Sequence, residues 1–72
     1  MPRFIINNKP QANGDHEIHN ATTGCTYMPA QANQIDLGTH ATCQSAVLDA
    51  KGRWPNDRVN GCYFCCNQCH TS

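Results

Sequence analysis

Apolar positions are sparse along this chain, and their spacing carries most of the structural information. Phe4-Ile5-Ile6 is a short strand-prone run closed by Asn7-Asn8-Lys9-Pro10 and the turn signal Asn13-Gly14, which predicts a first strand. Asp15-His16-Glu17-Ile18-His19 predicts a second; in an extended segment His16 and Ile18 share one face, Glu17 and His19 the other. A polar loop over 20–24 leads to Cys25-Thr26-Tyr27-Met28-Pro29. Period-two alternation returns in Asn33-Gln34-Ile35-Asp36-Leu37-Gly38, a third strand with Ile35 and Leu37 inward and Gly38 at its end. Between Thr39 and Gly52 the spacing changes to three and four. Cys43, Ala46, Val47 and Ala50 fall on one face of a helix, with Thr42 as N-cap and Gly52 as stop. Trp54-Pro55-Asn56-Asp57 reads as a turn with Trp54 folding back as an aromatic anchor, and Arg58-Val59-Asn60 as passage into the last segment. The expected fold class is α+β: a small three-stranded antiparallel sheet with one helix packed across it, in a single domain over 1–72.

The length turns this outline into an energetic problem. A domain of 72 residues buries only roughly 60% of the surface its unfolded chain exposes. Leu, Ile, Val and Phe together supply ten residues, so the core is thin and a staple is expected. Structural zinc contributes about 10–16 kcal/mol in small peptides, and a disulfide about 2–4 kcal/mol.

The material for a staple is concentrated in Gly61-Cys62-Tyr63-Phe64-Cys65-Cys66-Asn67-Gln68-Cys69-His70, which holds four of the six cysteines and one of the four histidines. A two-residue gap lets both thiolates of a Cys-x-x-Cys pair grip one tetrahedral ion from a tight turn. Cys62 and Cys65 form one pair, Cys66 and Cys69 a second. Adjacent Cys65 and Cys66 point apart, so one pair is expected to bind the ion while the other has a different task. Zinc takes four sulfur or nitrogen ligands, and a small fold commonly draws two from each of two segments. Cys62 and Cys65 supply the C-terminal half; His19, at the end of the second strand, and Cys25, six positions on, supply the other. Four protein ligands leave no open position, which marks a structural site with zinc as cofactor and no catalytic residue. For Cys66, Cys69 and His70 several roles stay open: a second metal site completed by His16 or His40, alternative ligation of the first ion, a disulfide or redox dithiol, or inert thiols. Cys43, on the buried helical stripe, reads as a small core hydrophobe.

Five basic residues balance five acidic ones, which removes the electrostatic footprint of an autonomous nucleic-acid binder and leaves a protein as the expected partner. Lys51, Arg53 and Arg58 read as a solvated face. No stretch is long enough to span a bilayer, and the N-terminal apolar run is too short for a signal peptide. The expected location is cytoplasmic, where reducing conditions favour thiolates, and thiolates with histidines favour metal.

The run of His19, Cys25 and Pro29, then Asn33-x-Ile35-x-Leu37, then Thr42-x-x-x-Ala46 with Ala50, then Gly61-Cys62-Tyr63-Phe64-Cys65 resembles the small zinc-binding module of the Ada type. That module has a loop cysteine, a strand, a short capped helix and a final Cys-x-x-Cys in the same order. The resemblance covers roughly residues 4 to 65 and is specific at Cys25, Cys62 and Cys65, which it implies are ligands. In the Ada N-terminal domain four cysteines ligate, and one accepts a methyl group from a DNA phosphotriester. Here Tyr27, Met28 and Pro29 stand where a second N-terminal cysteine belongs, so His19 substitutes. A neutral imidazole in place of a thiolate lowers the negative charge of the complex and the nucleophilicity of the remaining thiolates, which counts against methyl transfer.

Three classes of function follow. The first is a zinc-supported binding or interaction module, with Tyr27, Trp54, Tyr63 and Phe64 as candidate partner surface. The second is a metal-thiolate methyl acceptor acting on DNA, or a dithiol redox protein. The third is a secreted miniprotein stapled by disulfides, against which Met1 counts.

Overall fold

A computed structural model describes residues 1–71. Strands β1 (Arg3–Asn7) and β2 (Asp15–Asn20) form an antiparallel hairpin in which Ile5 faces His19 and Ile6 faces Ile18. Strand β3 (Gln34–Thr39) pairs antiparallel with the other edge of β1. The register slips between Phe4 and Ile5, which pair with Gly38 and Asp36, so that Leu37 is the extra residue of a bulge. Gly38 sits there at φ +78°, a conformation that a side chain would strain. The bulge leaves Leu37 buried in the core.

Helix α1 (Cys43–Arg53) crosses the sheet between β3 and a fourth strand, β4 (Arg58–Gly61), on the far edge. The Thr42 hydroxyl accepts the Ser45 backbone N–H and caps the helix start. Ala46 and Ala50 are fully buried beneath the helix, and their small size brings it close to Phe4, Ile6 and Ile18. Trp54 packs against the same cluster from its margin. Gly52 lies inside the helix, which continues to Arg53, because the Trp54 N–H still finds the Ala50 carbonyl (2.9 Å).

The sheet corrects the sequence-based expectation. It has four strands in the order β3-β1-β2-β4, and β4 runs parallel to β2, so the sheet is mixed and not a three-stranded antiparallel one. Arg58-Val59-Asn60 carries a single apolar residue and gives no strand signal by alternation. Its pairing is set by polar groups instead. Arg58 reaches the buried Asp15 carboxylate at 2.9 Å, and buried Asn60 donates to the same carboxylate at 3.5 Å. Among the described residues no helix is long and apolar enough to cross a membrane.

Candidate metal centre

The parallel pairing of β2 and β4 positions the site, because it brings the C-terminal ends of both strands to one place. The ladder continues one step past Gly61, where the Cys62 N–H donates to the Ile18 carbonyl (2.9 Å). That bond sets Cys62 beside His19. The chain then turns tightly, with the Cys66 N–H on the Cys62 carbonyl (2.9 Å), and this turn returns Cys65 to the same end. Cys25 arrives from the loop after β2, directly following Gly24.

One nitrogen or sulfur atom from each of His19, Cys25, Cys62 and Cys65 lies within 4.8 Å of all the others. The Cys25 and Cys62 sulfurs are 3.8 Å apart, and Cys65 Sγ lies 3.5 Å from His19 Nδ1. Bonds of about 2.3 Å to sulfur and 2.0–2.1 Å to nitrogen make the edges of a coordination tetrahedron about 3.8 Å for S···S and 3.6 Å for S···N. The Cys25–Cys62 and Cys65–His19 pairs already stand close to these edge lengths. The donor set, three thiols and an imidazole, fits a tetrahedral thiophilic metal.

Two further groups orient these donors. The Asn20 backbone N–H donates to Cys65 Sγ (3.4 Å), which favours the thiolate. Glu17 Oε1 lies 3.6 Å from His19 Nε2. With Nδ1 toward Cys65, a proton on Nε2 aimed at Glu17 is the tautomer that frees Nδ1 as a ligand, the carboxylate–histidine arrangement of many metal sites. The sequence places Glu17 on the His19 face without assigning it a role; the i, i+2 relation along a strand is the signal that links them.

Burial dominates the titration of the cluster. It lowers the His19 pKa, keeping the imidazole neutral, and pushes the Cys65 and Cys66 thiols and the Glu17 carboxyl up. A divalent ion reverses the effect on a coordinating thiol, which it deprotonates outright.

The remaining candidate residues are not gathered into a second cluster. Cys69 is joined to Cys43 in a disulfide with its Cα atoms 6.3 Å apart, so Cys43 is a cross-link and not simply a core hydrophobe. Cys66 is a buried free thiol in the hydrophobic core. His70 Nδ1 meets the Gly61 carbonyl at 3.0 Å, and His16 Nδ1 meets the Asn7 carbonyl at 2.9 Å. His40 is held between Ser45 Oγ (2.7 Å) and the Leu37 carbonyl (2.8 Å). Only the group of His19, Cys25, Cys62 and Cys65 has metal-site geometry among the described residues.

Comparison of the chain with protein families, with curated proteins and with solved structures finds no match. The likeness to the Ada-type module rests on the quoted residues alone.

Proposed function

We propose that this chain is a small interaction module whose fold is supported by one structural zinc ion on His19, Cys25, Cys62 and Cys65. The observation that carries the reading is the pair of tetrahedral edges, 3.8 Å between Cys25 and Cys62 and 3.5 Å between Cys65 and His19, in a cluster of four protein donors. Four protein ligands leave no position for substrate or water, so the ion's contribution is to the fold. Three thiolates and one imidazole in a closed four-donor group is a standard ligand set of structural zinc, which favours that ion.

Methyl acceptance from DNA fits less well. Arg3, Arg53 and Arg58 are each paired with a carboxylate, from Asp36, Asp49 and Asp15 respectively, which spends their charge within the fold. The N–H of Asn20 on Cys65 Sγ further quiets that sulfur as a nucleophile. A miniprotein stapled wholly by disulfides fits poorly with four free cysteines beside one disulfide.

Native mass spectrometry of protein expressed without added metal, followed by denaturation and alkylation, tests the proposal. The expected result is a native mass one zinc ion above the chain, with four alkylated cysteines after denaturation. A chain without metal, or with all cysteines oxidised, overturns it.

A further inference from the structure

The metal cluster holds more than its own ligands. Tyr27 stands two residues after Cys25, and Tyr63 and Phe64 lie between Cys62 and Cys65, so three aromatic rings are carried on the two segments that an ion would clamp. Tyr27 and Phe64 stack at 4.4 Å between centroids, and Tyr63 stands at 89° to Phe64 with centroids 5.1 Å apart. Together they build a right-angled aromatic corner. A cleft runs along it, lined by these rings, by Asn7, Gln11 and Glu17, and by the ligand candidate Cys62.

We propose that this cleft binds an alkylated ammonium group presented on a peptide, a methylated lysine side chain. The inference rests on the module reading above and names its partner chemistry. Glu17 is the one carboxylate lining the cleft, and no lysine or arginine lines it, so the local charge selects a cation. Glu17 turns one oxygen toward His19 and takes a hydrogen bond from Gln11, and a carboxylate's four lone-pair sites leave room for a cation beside these two partners. Ring faces attract a cation through their quadrupole, with no hydrogen-bond acceptor required. A bare ammonium is strongly hydrated and needs three acceptors, whereas methyl groups remove donors and ease dehydration. The corner therefore matches the alkylated form.

A free small cation is too small an occupant. Tyr27, Tyr63 and Phe64 are 58%, 55% and 63% exposed in a chain with only two Phe, two Tyr and one Trp. A chain with few large apolar side chains leaves three outside its core, side by side, and a lone head group would cover only part of them. A peptide carrying the head group covers the rest, and ligation at Cys25, Cys62 and Cys65 would order the rings in advance, reducing the entropy lost on binding.

The test uses metal-loaded protein whose ion content has been verified by native mass spectrometry. It is titrated with an acetylated, amidated Gly-Gly-Lys-Gly-Gly peptide in three forms: trimethylated lysine, unmodified lysine, and the neutral isostere with carbon in place of nitrogen. Amide NMR shifts are the readout. The expected result is shifts at Tyr27, Tyr63 and Phe64 and about tenfold tighter binding of the trimethylated form than of either control. Phe64→Ala abolishes the preference at unchanged metal content, and Glu17→Gln, which keeps an oxygen for His19, weakens binding severalfold. Equal binding of the neutral isostere, equal binding of free choline, or no shift in the loaded protein overturns the inference while leaving the metal reading intact. A chain that takes up no metal fails before any peptide is added, which separates the two failures.

Discussion

Two regions of this molecule draw on the same ten-residue knuckle for opposite ends. At the shared end of β2 and β4, the free thiols of Cys62 and Cys65 join His19 and Cys25 in a group whose donor atoms lie within 4.8 Å of one another. On the helix side, Cys66 is buried in the core and Cys69 is covalently tied to Cys43 at the start of α1. The dividing line runs between Cys65 and Cys66. A tight turn sends neighbouring side chains to different sides, so a doubled Cys-x-x-Cys serves two closures and not one larger site. One closure, on the reading proposed above, is made by an ion and its deprotonated ligands, the other by an oxidised bond.

The comparison is broken most severely on the metal side. Cys62→Ala removes a ligand that also begins the turn, and a structural ion is worth about 10–16 kcal/mol in small peptides against a folding stability of about 5–15 kcal/mol. The expected outcome is a chain that no longer retains the ion and loses its sheet signal in circular dichroism; a folded variant would show that the ion is dispensable. The double variant Cys43→Ser with Cys69→Ser isolates the other closure. The bonded cysteines are 26 positions apart, and chain entropy for such a loop gives roughly 3–4 kcal/mol. Thermal or urea unfolding of the loaded protein should show that loss with one ion still bound. A change in metal stoichiometry would mean that the two regions are not independent.

Gly61→Ala probes the joint between them. A Cβ at this position would lie 2.6 Å from Cys69 Cβ and 2.8 Å from the Cys66 carbonyl oxygen, one residue before the ligand Cys62. Overpacking of this kind costs about 1–3 kcal/mol. The expected loss in urea unfolding should be smaller in the variant that also lacks the disulfide, because Cys69 can then retreat. Equal losses in both backgrounds would place the clash elsewhere.

What could be read from the chain follows from which forces set each element. β1, β2 and β3 carry apolar runs or alternation, and the helix carries a cap and a periodic stripe, so local chemistry predicts them. β4 does not, because its pairing is fixed by Arg58 and Asn60 meeting Asp15, which lies more than forty positions earlier in sequence. The grouping of His19, Cys25, Cys62 and Cys65 was suggested by ligand spacing and strand ends. The Cys43–Cys69 bond was not, because six cysteines admit many connectivities and sequence does not rank them. Glu17 is legible only as a face-mate of His19; its approach to Nε2 depends on side-chain packing in the fold.

The parallel pairing of β4 also dictates a timetable. In synthesis the hairpin, β3 and α1 are all made before the partners of either closure, since Cys62, Cys65 and Cys69 follow residue 61. Until they emerge, His19 and Cys25 stand without the other two donors of their cluster, Cys43 has an unpaired thiol, and β2 has an open edge. Contacts of such long sequence separation form slowly. The nascent chain is therefore most open to mispaired cysteines and edge pairing in the interval before its knuckle is complete.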